Sequence, residues 1–136
     1  MREAILGVDY GRKRIGVAIS EVGFIARPLT TFESKGDKKN ILELTRIVSL
    51  FKAGTVVFGL PVHKNMAMAN EIREFAKGLM ILGVTIDFQD EMLSSVEAEE
   101  YIRTKMGITD KKKIANMIDS VAAAMILRDY LEKGEK

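Results

Sequence analysis

Residues 5–20 read Ile5-Leu6-Gly7-Val8-Asp9-Tyr10-Gly11-Arg12-Lys13-Arg14-Ile15-Gly16-Val17-Ala18-Ile19-Ser20. Two β-type runs, 5–10 and 15–20, flank the basic turn Gly11-Arg12-Lys13-Arg14, and the pattern predicts a hairpin. Asp9 is out of keeping with its run. Aspartate is depleted in strands and seldom buried without a partner, yet Asp9 follows Val8 directly. A bound cation beside a phosphate would compensate its charge, and so would hydrogen bonds accepted within its own turn. Gly7, Gly11 and Gly16 leave room for a ligand or a second backbone to come close.

Beyond the hairpin the elements alternate. A third strand is expected over 26–32, with Pro28 placing it at a sheet edge or at the strand start. Asp37 is expected to cap a helix over 39–52, with Ile41, Leu44, Ile47, Val48 and Phe51 on one face and Gly54 as its stop. Residues 55–59 form a short, wholly apolar strand, the pattern of one covered on both sides. A second helix is expected over 67–82, with Met68, Ile72, Phe75, Ala76 and Leu79 inward and Gly83 after it. Val84, Ile86 and Phe88 alternate with Thr85, Asp87 and Gln89, which predicts a strand. Ser94-Ser95-Val96-Glu97 has the form of a capping box, opening a helix to 106 that Gly107 stops. Asp110 is expected to cap a last helix to 133, with Ile114, Ile118, Val121, Ala122 and Met125 along one stripe. The order βββαβαβαα, without repeat, low-complexity stretch or linker, predicts one α/β domain over 1–136.

Composition narrows the class. A chain of 136 residues can bury its own core. It has no cysteine, which removes disulfides, thiolate metal sites and a cysteine nucleophile. No uncharged run approaches the roughly 18 residues of a membrane span, and no basic segment leads into an apolar one at the N-terminus, so a soluble cytoplasmic protein without a membrane partner is expected. The net charge of +2 is too small to imply nucleic-acid binding by itself. The basic residues nonetheless cluster, at Arg12-Lys13-Arg14, at Lys35, Lys38 and Lys39, and at Lys111-Lys112-Lys113, and local patches matter more for phosphate contact than the total.

Two more acidic positions stand out. Asp90-Glu91 follows the strand at 84–89, at the carboxyl end where open α/β sheets collect ligands. Asp119 interrupts the small, apolar stretch Ile118-Asp119-Ser120-Val121-Ala122-Ala123-Ala124-Met125. A lone carboxylate there is costly unless a metal or a neighbouring lysine or arginine pairs with it. Carboxylates from three separated segments point to a shared hard-cation site. Oxygen ligands without His or Cys select Mg²⁺ or Mn²⁺ over zinc. Such sites serve phosphoryl transfer, where metal ions activate water and neutralise charge on the leaving oxygen.

The chain closely resembles the YqgF/RuvX family, the pre-16S rRNA nucleases also called Holliday-junction-resolvase-like proteins. The resemblance spans nearly the whole sequence and rests on 6–20, Gly59-Leu60-Pro61, Asp90-Glu91 with Ser94-Ser95, and Ile118-Asp119-Ser120-Val121-Ala122-Ala123. It implies an RNase H-like fold with a mixed central sheet flanked by helices. It also implies a metal-dependent nuclease on structured nucleic acid that matures the 5′ end of small-subunit ribosomal RNA. Carried over by position, the catalytic and metal-ligating residues are Asp9, Glu91 and Asp119. Arg12, Lys13, Arg14, Ser94, Ser95, Lys111, Lys112 and Lys113 are expected to hold substrate. The implied partners are pre-rRNA, ribosomal particles or branched DNA, with the oligomeric state left open.

The departures are local. Met92 stands where the family carries an arginine, Ser94 and Ser95 stand for two threonines, and Val62-His63-Lys64-Asn65-Met66-Ala67 replaces an aspartate-glycine turn. Serine keeps the hydroxyl; Met92 and the loop bear on substrate grip, and His63 is a candidate phosphate contact. Three rivals stand beside the rRNA nuclease: a Holliday-junction-type DNA resolvase, a non-cutting nucleic-acid-binding module of the same fold, and an actin- or sugar-kinase-type nucleotide fold. The last would need a second, glycine-rich phosphate loop, which the chain lacks.

Overall fold

The computed structural model describes residues 3–91 and 95–134, the Ser95 side chain excepted. The element order is the expected βββαβαβαα. Strands β1 (Ala4–Tyr10) and β2 (Arg14–Ser20) pair antiparallel across the basic turn, Asp9 opposite Gly16 and Tyr10 opposite Ile15. Strand β3 (Arg27–Glu33) adds to β2, while β4 (Ala53–Leu60) and β5 (Thr85–Asp90) run parallel to β1 on its other side. The mixed, five-stranded sheet has the order β3-β2-β1-β4-β5. Pro28 does lie on an edge strand: Val17 pairs with Thr30 but Ala18 with Pro28, so Leu29 is the extra residue of a bulge.

Strand alternation divides the core in two. Leu6, Val8, Ile15, Val17, Val56 and Phe58 point to one face, where α1 (Asp37–Phe51) contributes Leu44 and Ile47 and α2 (Met66–Ala76) contributes Ile72 and Phe75. Ala18 and Val57 point to the opposite face, covered by Ala123, Ile126, Leu127 and Leu131 of α4 (Lys111–Gly134). Beyond α4, the helix α3 (Ser95–Thr104) packs Ile102 on Ile114 and Val121. Each fully buried Leu, Ile or Phe stabilises the fold by roughly 2 kcal/mol. The two-sided burial of β4 is thus a main fixing point of the sheet.

Several expected details differ, each for a physical reason. Gly36, with φ 98°, is the N-cap of α1, not Asp37. Asp37 is the first helical residue, and its Oδ1 accepts from the Tyr10 hydroxyl at 3.1 Å. The helix ends at Lys52, which adopts φ 55° as its C-cap; Gly54 lies inside β4, where a Cβ would strike the Glu3 side chain. The second helix tightens after Ala76 into a 3-10 segment over Lys77–Leu82, with Gly78 close against Ile41.

The expected stripe of α4 is only half of its buried surface. Ile114, Ile118, Val121 and Met125 serve the contact with α3, and a second arc from Ala123 to Leu131 faces the sheet. A helix sandwiched between two layers has no single apolar stripe. Asp110 caps α4 as expected, its Oδ1 accepting from the Lys112 and Lys113 amides at 2.9 and 3.1 Å. Of the expected capping box, Ser94 lies outside the described residues, as does Met92.

Candidate active site

The face of the sheet that carries α4 also carries the acidic residues. Leu6, Val8 and Tyr10 are in the core under α1 and α2, so alternation turns Ile5, Gly7 and Asp9 towards α4. The glycines make the close approach possible, and the room they leave is filled by a second backbone. A Cβ at Gly7 would come within 2.8 Å of the Leu127 side chain and 2.9 Å of the Ala123 carbonyl. One at Gly16 would fall on the Asp119 carbonyl itself. Because Gly16 is the cross-strand partner of Asp9, this contact sets Asp119 beside Asp9.

Strand β5 supplies the third carboxylate. Ile86 and Phe88 pack into the first core cluster, while Asp87 faces α4 and accepts from the Tyr130 hydroxyl at 2.7 Å. Glu91 follows two pairs of residues later, just past the strand. Its amide donates to the Leu60 carbonyl at 2.8 Å, tying it to the carboxyl end of β4. The three carboxylates therefore come from the ends of β1 and β5 and from α4 lying across them.

Their electrostatics are those of an unneutralised cluster. The Asp9 carboxyl is pushed from its ordinary 3.8 up to about 8, first by burial and then by the charges of Glu91 and Asp119. Burial also raises Glu91, against the opposing pull of Lys64. Asp119 is held apart: its Oδ2 accepts from Arg14 Nε at 2.7 Å, and the Asp119 side chain is 19% exposed. Among the described residues no three acidic, His or Cys groups are gathered closely enough to ligate one ion as they stand. The donor set fits a hard divalent cation in kind: oxygen ligands only, and a buried carboxyl whose two charged neighbours are also acidic.

The basic residues sort into different roles. Arg14 pairs with Asp119, the salt-bridge partner that a carboxylate in such a helix requires. Arg12 reaches Glu71 of α2 at 3.2 Å. Arg12, Lys13 and Arg14 line one side of a cleft of about 640 Å³, with Thr31 and Ser34 of the β3 end and Asn116 of α4 opposite. The Thr31 hydroxyl oxygen is buried there without a hydrogen bond. Lys111, Lys112 and Lys113 are exposed in the first turn of α4, the helix that carries Asn116 and Asp119. Ser94 and the Ser95 side chain lie outside the described residues. Sequence reasoning did not find Lys64 beside Glu91, or Asn116 and Thr31 in the cleft. The neighbouring ends of β4 and β5 bring in Lys64, the pairing of β3 with β2 brings in Thr31, and the packing of α4 on β2 and β3 brings in Asn116, and no local pattern signals any of these.

The model of the RuvX family, described as Holliday junction resolvase, matches residues 3–133. A protein of Syntrophomonas wolfei named "Putative pre-16S rRNA nuclease" is 37% identical over 135 residues, covering 96% of this chain and 94% of its own. One of the same name from Chloroflexus aggregans is 39% identical with the same coverage. Among solved structures, the fowlpox virus resolvase in complex with Holliday junction DNA superposes with a TM-score of 0.66 at 16% identity, over 98% of this chain and 99% of that one. Thermus thermophilus RuvC in complex with a Holliday junction substrate gives a TM-score of 0.61 at 14% identity, over 98% and 96%. At such identities these two likenesses speak for the fold. No helix among the described residues is long and apolar enough to cross a membrane.

Proposed function

The chain belongs to the RuvX family of Holliday junction resolvases, and from that premise we propose that it is a divalent-metal-dependent nuclease that cuts structured nucleic acid, with precursor 16S rRNA as its substrate during ribosome biogenesis in the cytoplasm. The observation that carries the reading is Asp9, a carboxyl raised to about 8 by burial and by two further carboxylates from distant segments. A structural aspartate would be given a cation; this one faces two acids.

Asp9, Glu91 and Asp119 would hold Mg²⁺ or Mn²⁺. Bound there, the metal supplies an activated water and neutralises charge on the departing 3′ oxygen. The protein's own contribution is placement. The strand ends fix Asp9 and Glu91, and Gly16 fixes the turn of α4 that bears Asp119. Arg14 holds Asp119 in one orientation. The cleft beside it, with Lys13, Arg12 and the unpaired Thr31 hydroxyl, takes the flanking backbone, and Lys111–Lys113 extend the basic surface along α4. Contacts of this kind position a substrate and do not read its sequence.

Branched DNA is the second reading, favoured by the description of the family that matches the chain. Purified protein with Mn²⁺, offered precursor 16S RNA in pre-ribosomes and four-way DNA junctions side by side, tests the choice. Faster cleavage of the precursor at its 5′ end is expected. Cleavage confined to junctions would assign DNA instead.

A further inference from the structure

We propose that the cleft between the basic turn and α4 seats one nucleotide of the substrate, and that Thr31 and Asn116 in it recognise the ribose 2′-hydroxyl, so that the site selects RNA over DNA. The inference rests on the nuclease reading above and names the residues that would decide its substrate class.

Strand pairing sets the place of Thr31. Asp9 is opposite Gly16 across β1 and β2, and Gly16 is opposite Thr31 across β2 and β3, so the three form one row across the sheet. Ile15 and Phe32, the neighbouring pair, pack in the core under α1 and α2, which turns Gly16 and Thr31 towards α4 together with Asp9. Two strand spacings put Thr31 about 10 Å from Asp9. The Asp119 turn of α4 lies over Gly16, between them. Asn116 stands about one turn earlier on α4 and lines the cleft with Thr31.

The charges of the cleft are already largely compensated. Arg12 is bound to Glu71 and Arg14 to Asp119, while Glu33, paired with Arg14 across β2 and β3, lines the same cleft as Lys13. That balance suits a nucleotide's sugar better than a run of bare phosphates. The neutral groups left are the Ser34 and Thr31 hydroxyls and the Asn116 amide. Ser34 Oγ is engaged, accepting from Asn40 Nδ2 at 2.9 Å. Thr31 Oγ1 is buried without a hydrogen-bond partner among the described residues, and Asn116 is exposed. An unpaired buried hydroxyl is costly, and a ligand group that both donates and accepts removes the cost. Thr31 itself is partly exposed where it lines the cleft, and a hop between staggered χ1 positions carries its oxygen to that side. The 2′-hydroxyl is such a group, and it is what separates RNA from DNA at a single position. At about 640 Å³ the cleft has the volume of a small-molecule site.

The test is binding in EDTA, where no strand is cut. One duplex with single-stranded flanks is made as RNA, as 2′-fluoro RNA, which keeps the RNA-like sugar pucker but cannot donate, and as DNA of the same sequence. The full chain is compared with Thr31→Val, Thr31→Ser and Asn116→Ala. Wild type should bind RNA about 3- to 10-fold more tightly than 2′-fluoro RNA. Thr31→Val should lose most of that preference with its affinity for 2′-fluoro RNA and DNA unchanged, and should melt no lower than wild type. Thr31→Ser should keep the preference, and Asn116→Ala should lose part of it. Equal binding of RNA and 2′-fluoro RNA by wild type would overturn the proposal, as would a wild-type preference in Thr31→Val. An equal loss on all three probes would also overturn it, because Thr31 would then only shape the cleft. Should wild type with Mn²⁺ cut neither RNA nor junction, the nuclease reading fails, while the RNA preference still decides whether Thr31 meets the sugar.

Discussion

Asp9 couples the site to pH in a way that can be measured without substrate. Its carboxyl titrates near 8 in the folded chain against an ordinary 3.8, so the folded state holds the extra proton across that window. Stability from this group is therefore full at low pH and is lost as pH rises towards 8. Asp9 keeps some solvent contact, so the loss between pH 5 and 8 in EDTA should be about 2 kcal/mol, below the ceiling of 1.36 kcal/mol per unit. Asp9→Asn should not show it, and parallel denaturation of the two proteins at both pH values checks this. Because a cation must displace that proton, Mn²⁺ affinity should climb over the same interval. For Asp119 the expectation is different. Its bond to a half-exposed arginine contributes less than about 1 kcal/mol, so metal-free Asp119→Asn should melt close to wild type while losing cleavage. A loss of several kcal/mol would make the Arg14 pair structural. At this scale Asp9 and Asp119 were singled out in the sequence because each sits where charge is disfavoured, and Glu91 because it follows the carboxyl end of a strand. The partner of Asp119 was not, since Arg14 lies in a turn whose composition equally suits a phosphate.

The elements explain why the residues meet. Of the helices and strands, the order and most boundaries follow from apolar periodicity. The exceptions arise where tertiary contact overrides local pattern, as in the left-handed Lys52 and the tightened turn after Ala76. The sequence announced close approach at Gly7 and Gly16 without saying what approaches; the answer is the backbone of α4. Gly16→Ala should therefore push α4 outward, costing about 2–3 kcal/mol and weakening Mn²⁺ binding as Asp119 moves away from Asp9. Urea denaturation and calorimetry of the variant check both effects, and a stable variant with normal metal affinity would refute the packing argument. At the head of the same helix, Lys111, Lys112 and Lys113 oppose the helix dipole and gain nothing locally. Replacing all three with Gln should flatten the salt slope of nucleic-acid binding by up to about 2–3 and leave cleavage of bound substrate nearly unchanged. Identical slopes would leave the run a merely solvated face.

For the whole molecule, the sheet gives one face to the core under α1 and α2 and the other to α4, and the proposed acidic site falls on the second. The basic turn and its cleft lie on the β3 side of Asp9, where β2 begins with Arg14. Global fold and family were both readable from the sequence, because the hairpin motif is long and the later motifs follow in fixed order. The positions of Thr31 and Asn116 were not, because the pairing of β3 with β2 and the docking of α4 on both assemble them. The most direct test of the central claim is Mn²⁺-dependent cleavage of precursor 16S RNA by wild type and by folded Asp9→Asn, side by side. Cleavage by wild type that vanishes in EDTA and in the variant is the predicted result. Comparable cleavage by a correctly folded Asp9→Asn protein would contradict it.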